Sequence, residues 1–280
     1  MRRLAAIALF MIACNGAAPH TTATTHAQTL TLSYANGATY QYKFVLTSDF
    51  TVQTVALTQQ ERIDLTAKET LTVSSVDSKG LAAVIVTFAD ATMKTILVSD
   101  QTTMTINSGP SLIGTHFLLA PDGRALSTYD GGSLPDDPVM FGVAADARFV
   151  SAVLSDGAVK PGDTWTKNYD VPSASGSGTI KVIAKSNYLR NETHGGVRVA
   201  VVETISTANV AIGIKGSSGI LGTARSDVTS WIDPSAHRIV KTMVTSSSEL
   251  SMAASPLSSL VPGAGPFTQK GTQTLDLEPA

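Results

Sequence analysis

Apolar and polar residues alternate with period two along most of the chain. Tyr40, Tyr42, Phe44 and Leu46 fall on one side of a stretch whose other side carries Gln41 and Lys43. That is the pattern of a strand with one face buried. Across 62–76 the inward positions are marked by Ile63, Leu65, Leu71 and Val73, and 81–88 is apolar throughout, as suits a strand central in its sheet. Further strands are expected at 29–34, 50–57, 92–98 and 102–106, and on both sides of Pro121-Asp122-Gly123. After residue 160 they are expected at 179–187, 197–205, 210–214, 221–232, 241–252 and 267–277. Gly-containing turns such as Asn36-Gly37, Asp77-Ser78-Lys79-Gly80 and Gly195-Gly196 separate them. Residues 255–261 read as a short apolar loop or helical turn.

One stretch breaks this period. Asp137-Pro138 is a helix start, because Asp accepts bonds from first-turn amides and Pro lacks an amide needing a partner. Val139, Val143, Ala147, Val150 and Leu154 then recur at steps of three and four. Phe141, Ala145, Phe149 and Ala152 form a second stripe, and Gly157 suits a left-handed helix end. A helix apolar on two sides is expected to be buried on both. The predicted fold is therefore mainly β: one long, curved, antiparallel sheet, half-barrel-like, with a single central helix around 137–156. The helix would cover the concave side. Met140, Phe141, Val143, Ala147, Phe149, Val150 and Leu154 are then the candidate lining for an apolar ligand.

The pattern restarts after the helix. Pro161-Gly162-Asp163-Thr164-Trp165 parallels Asn36-Gly37-Ala38-Thr39-Tyr40, and the hairpin at Trp231-Ile232-Asp233-Pro234 parallels that at 117–126. Two duplicated β-meanders, 29–132 and 161–280, joined by a linker at 133–160, account for this. The alternative is that any two meanders look this similar.

Composition narrows the class. Twenty Lys and Arg stand against 22 Asp and Glu, and without a clustered basic face there is no nucleic-acid footprint. Met1-Arg2-Arg3 is a basic start, and residues 4–13 are an apolar run too short to span a bilayer, which takes about 20 residues. Residues 1–13 read as a signal peptide. The run ends in Met11-Ile12-Ala13-Cys14, which resembles a bacterial lipobox. Cys14, the only cysteine, is the candidate lipidation site, and 14–28 is a small, polar tether. Cleavage further on, after Ala27, is the alternative. A lone cysteine allows no intramolecular disulfide. The expected location is the bacterial cell envelope, lipid-anchored, on the periplasmic side or the cell surface.

These residues carry a family resemblance. Gly37 to Tyr40, Pro121 to Arg124, Leu134-Pro135-Asp136-Asp137-Pro138-Val139, Pro161 to Trp165 and Trp231 to Pro234 resemble the motifs of uncharacterised bacterial lipoproteins of the DUF6263 type. More distantly the chain resembles half-barrel lipoprotein carriers of the LolA and LppX/LprG kind, which hold acyl chains under helices that cross the concave face. The second resemblance implies a generic apolar lining. Neither supplies a catalytic or binding residue.

The sequence carries no recognisable catalytic constellation. No G-x-S-x-G nucleophile elbow occurs. His116, His194 and His237 stand apart, and no pair has metal-ligand spacing on one element. The Asp130 to Asp137 loop offers oxygen ligands but no known calcium pattern. Asn191-Glu192-Thr193 is an incidental glycosylation sequon. Trp165 and Trp231 read as packing residues. Glu203, in an apolar strand, faces solvent, pairs with an Arg or marks a polar spot in a cavity. Neither catalytic residues nor metal or other cofactor are expected. The reading is a non-enzymatic envelope lipoprotein, its partners the membrane through the lipid anchor and a lipid or protein. Either it carries an apolar ligand between sheet and helix, or it is a structural lipoprotein with a solid core and a partner surface.

Overall fold

The computed structural model describes residues 26–53, 58–97, 102–107, 115–127, 151–172, 179–212, 220–252 and 267–279. The period-two stretches form strands longer than their individual patterns. In chain order these are β1 (Thr39–Gln53), β2 (Thr58–Val76), β3 (Ala82–Leu97), β4 (Thr102–Asn107), β5 (Thr115–Leu119) and β6 (Ala125–Ser127), then β7 (Thr164–Pro172), β8 (Thr179–His194), β9 (Val197–Ile212), β10 (Ile220–Asp233), β11 (Arg238–Met252) and β12 (Phe267–Pro279). The expected separate strands 81–88 and 92–98 are one strand, β3. It carries a bulge opposite Thr66 and Lys68, where Asp90 takes φ 53°. A bulge bends a strand without ending it.

Two antiparallel meanders, β1–β2–β3–β5–β6 and β7–β8–β9–β10–β11, are joined through β12, which pairs with β1 on one side and β11 on the other. The whole is one twelve-stranded sheet: eleven strands on a path from β6 to β7, and β4 paired to β3 off that path. A twisted sheet this wide curls, and here its two ends meet. Lys167 on β7 reaches Asp122 in the β5–β6 turn at 2.6 Å, and the Arg124 guanidinium lies 5.3 Å from the Tyr169 ring centre. No described ladder bond joins β6 to β7, so the barrel is not closed.

Two expectations need correction. The helix expected around 137–156 does not reach its predicted end: residues 151–156 are not helical, and no helix occurs among the described residues. Residues 133–150 lie outside the described residues, with Met140, Phe141, Val143, Ala147, Phe149 and Val150; so do Cys14, the signal segment, the Asp130 to Asp137 loop and 255–261. The strand expected at 29–34 is likewise not a ladder strand. Residues 28–34 form a strap joined to Val159 by one isolated antiparallel bridge, Gln28 N to Val159 O at 2.8 Å and Val159 N to Gln28 O at 2.9 Å.

The core explains both. Leu30, Leu32, Ala152, Leu154 and Val159 are buried in the same cluster as Phe44, Leu46, Leu65, Phe88 and Tyr188. The strap and the 151–159 segment therefore fill the concave side at one end of the rolled sheet, which we call the narrow end.

Candidate functional site

The concave face is the one surface on which every strand of the sheet converges, and its chemistry changes along the strands. At the narrow end the cross-strand row Tyr188, Val202, Ser230 and Thr242 continues across β12 to Phe44 and Ala67. All six side chains are buried. Three rows towards the other end, Val182, Ala208, Ala224 and Ser248 share one row, with Gly271 at the β12 position. Next to it come Val210, Gly222 and Leu250. At Gly222 a Cβ would stand 2.1 Å from the Glu249 carbonyl oxygen, so this position admits no side chain. Along β8–β11 the floor thus changes from Tyr188, Val202, Ser230 and Thr242 to Val182, Ala208, Ala224 and Ser248 towards this other end, which we call the wide end; across β12 the second row reaches the position of Phe50.

Between these ends the face grips residues 151–154 with hydroxyls. Ala152 N donates to Ser230 Oγ and Val153 N to Thr204 Oγ1, each at 2.8 Å. The Val153 carbonyl accepts from Ser186 Oγ at 2.8 Å and from Trp165 Nε1 at 3.0 Å. Leu154 N donates to Asp122 O at 2.8 Å. A buried backbone must have every donor and acceptor satisfied. Here the sheet supplies the partners, so the segment has no need of helical bonds of its own. Leu154, a predicted lining residue, is fully buried in the core cluster.

Glu69 is the polar residue that sequence reading passed over. It faces inward on β2 between Tyr42 and Phe88. It is 0% exposed, and neither carboxyl oxygen has a hydrogen-bond partner. Burial pushes its pKa up to about 8, so the carboxyl is held neutral below that. The Tyr34 hydroxyl, also buried, is unpartnered too. A small cavity of about 10 Å³, room for roughly one water, is lined by Tyr34, Tyr40, Tyr42, Leu71 and Arg238. A signal was present in the sequence: 63, 65, 67, 71 and 73 are apolar, and Glu69 shares their parity. Glu203, the residue singled out instead, sits between the buried Val202 and Thr204, half-exposed on the convex side with Asn187 and Thr229 as neighbours.

The other candidates are scattered. His116 is exposed on β5, His194 ends β8, and His237 lies in the β10–β11 turn with φ 51°. Among the described residues no three His, Cys, Asp or Glu are grouped to hold a metal ion. Trp165 packs against the core. Trp231 lies on the convex face, donating to Glu192 Oε1 at 2.5 Å with Lys241 Nζ 5.7 Å from its ring centre. That bond, helped by Arg190 at 2.6 Å, holds the Glu192 carboxyl below its usual range. In the following turn Asp233 accepts from the Ser235 and Ala236 amides at 2.9 and 3.0 Å and from Ser235 Oγ at 2.6 Å. An open trough of about 670 Å³ runs along β7–β9, lined by the apolar Tyr169, Val182, Ile183 and Ala208 together with the polar Asn168, Asp170, Lys181 and Asn209.

No protein-family model matches the chain, and no curated protein matches it. The likeness to the DUF6263 type and to LolA-like carriers therefore stays a resemblance. Among solved structures the chain is similar to one described as lipid–protein interactions in lipovitellin, at 12% identity and TM-score 0.42, covering 88% of this chain. It spans only 25% of the lipovitellin chain. A DUF1329 family protein from Desulfovibrio piger gives 10% identity and TM-score 0.15, covering 87% of this chain and 86% of that one. MucB in complex with MucA gives 9% and 0.13, covering 83% and 87%. At these TM-scores none of the three decides the fold or the function of this chain.

Proposed function

We propose that this chain is a non-enzymatic, exported lipoprotein of the bacterial cell envelope, anchored through Cys14, whose rolled sheet holds an apolar ligand such as a lipid or acyl chain over the wide end of its concave face. One observation carries the reading: the floor of small side chains at Val182, Ala208, Ala224, Ser248 and Gly222, opposite a narrow end that is already packed. Small residues on a concave face leave volume above the sheet, and apolar ligands are held in such apolar hollows with few polar contacts. The test is mass spectrometry of solvent extracts from protein purified out of a lipid-containing envelope, paired with titration of a fluorescent fatty-acid probe. Bound lipid in the wild type, and weaker probe binding in Ala208→Trp and Ala224→Trp, are expected. Absence of lipid, with probe binding unchanged by both variants, sinks the reading. For the anchor, Cys14→Ser should move the protein out of the membrane fraction.

A second reading, a structural lipoprotein with a solid core and a protein partner, is favoured by the narrow end, where Leu30, Leu32, Leu154 and Val159 are buried in one core cluster. The same extraction separates the two, since a solid-core protein carries no lipid.

A further inference from the structure

The narrow end of the sheet is also where the chain enters the fold. Among the described residues Gln28 is the first one fixed to it. Its backbone bridges Val159, and its side-chain amide donates to the Tyr188 hydroxyl, which donates in turn to Asn191 Oδ1 at 2.6 Å. Residues 26 and 27 are exposed beyond that clamp. Even fully extended, the stretch from Cys14 to Gln28 reaches at most about 50 Å, so a chain anchored at Cys14 is tethered by its narrow end.

Four turns at this end each carry an exposed cation: Lys79 between β2 and β3, Lys160 ahead of β7, Arg198 after the β8–β9 turn and Arg238 after the β10–β11 turn. None of them forms an ion pair among the described residues. Two flank the point where the chain leaves. Lys160 follows Val159, the bridge partner of Gln28, and Arg198 lies near enough to the Tyr188 hydroxyl to act on its charge. The acids of these turns are folded back onto the backbone. Asp77 accepts from the Lys79 and Leu81 amides at 2.8 and 2.9 Å, and Asp163 from the Lys160 amide at 2.9 Å. Asp233 is held by the Ser235 and Ala236 amides, while Glu192 and Asp156 are paired with Arg190 and Lys167. A Lys or Arg side chain reaches past a carboxylate fixed to turn amides, its stem following a surface while its head stays charged. A flat anionic surface laid across this end therefore meets the cations before the acids.

Building on the Cys14 anchor of the functional reading above, we propose that the narrow end is a membrane-facing surface on which Lys79, Lys160, Arg198 and Arg238 meet anionic phospholipid headgroups, with the wide end of the concave face turned away from the bilayer.

Vesicle sedimentation of the full chain carrying Cys14→Ser reads the surface without the anchor. Binding is expected on vesicles of equal parts phosphatidylglycerol and phosphatidylcholine, with little on phosphatidylcholine alone and loss in high salt. Changing Lys79, Lys160, Arg198 and Arg238 together to Gln should weaken it about fivefold per cation removed. The same change at Lys43, Lys181, Lys185 and Arg225, which are exposed on the convex face, should leave it as it was. In the wild-type chain on charged vesicles, hydrogen exchange should slow at the Gly80, Gly196 and Ala236 amides relative to neutral vesicles, and stay the same at Val182 and Ala208. Wild type and Cys14→Ser binding alike, both only to charged vesicles, would sink the anchor and support the surface. Three outcomes overturn the proposal and leave the anchor standing: an anchored wild type whose turn amides are unprotected, Cys14→Ser binding no better to charged vesicles than to neutral ones, or equal losses in the two sets of Gln variants.

Discussion

Glu69 shows how much one side chain can set. An uncompensated buried carboxylate is expensive, so the group stays protonated instead, its pKa raised from 4.5 to about 8 by desolvation. For an acid shifted upward, the folded state binds the extra proton. Stability is therefore greatest below about 4.5, falls as pH rises towards 8, and is level above that. The slope is roughly 1.4 kcal/mol per pH unit at most. Urea unfolding of the wild type should lose stability between pH 5 and 8, and Glu69→Gln should flatten the curve; parallel curves for the two would show that another group governs it. Gly123 is a second such position. It takes φ +84°, and a Cβ would stand 2.5 Å from the Ala152 carbonyl oxygen. Gly123→Ala should cost about 1–3 kcal/mol, read as a lower urea midpoint. A midpoint within error of wild type would show that the 151–154 segment can shift aside.

At the scale of elements, the decisive contact is between the 151–154 segment and the sheet. Ser230 Oγ accepts from Ala152 N and lies 3.1 Å from Thr242 Oγ1; Thr204 Oγ1 accepts from Val153 N and lies 2.9 Å from Ser186 Oγ. Each hydroxyl belongs both to a strand and to the segment that crosses it. Thr204→Val keeps the shape and removes the acceptor, which leaves a buried amide unpaired. That should cost about 1–3 kcal/mol and speed exchange at Val153 more than at Val202. Equal acceleration at both amides would place the loss in the sheet as a whole. The hydroxyl pattern also accounts for the Ser and Thr at inward positions, which the alternation of apolar and polar residues leaves without a reason.

For the whole molecule the open seam between β6 and β7 matters most. Twelve strands roll far enough for the sheet's ends to touch, yet side chains close the gap where a ladder would. Asp122 Oδ2 takes bonds from Arg124 Nε at 2.7 Å and Lys167 Nζ at 2.6 Å, and Lys167 also reaches Asp156 at 2.6 Å. Lys167 and Asp122 are largely shielded, at 11% and 12% side-chain exposure. Lys167→Met keeps the apolar stem and deletes the charge. The expected loss is about 1–2 kcal/mol, between the values for surface and buried pairs, with a weaker dependence of stability on salt than in the wild type. An unchanged salt dependence would mean the seam is held by packing at Trp165 and Tyr169 instead. A sheet sealed by a few ion pairs is easier to part there than along any ladder.

Period-two alternation in the sequence was enough to determine the β class, the inward parity of β1 and β2, and the last strand, because a strand with one buried face writes its register into residue type. The same rule places Glu69 at an inward position, but its lack of a partner is set by the flanking Tyr42 on β1 and Phe88 on β3. Segments without ladder partners were misread. Leu30 and Leu32 alternate as a strand would, and Ala152 and Leu154 fall on the helical period, but both segments are extended chain held inside a curved sheet. Local pattern reports that a residue is buried and at what spacing; which groups satisfy its backbone is decided by strands distant in sequence. The filling of the narrow end, the hydroxyl grip on 151–154, the unpaired acid on β2 and the seam at Asp122 and Lys167 all arise from that closure. Only tertiary structure could decide them, because each joins groups that are neighbours in space and far apart along the chain.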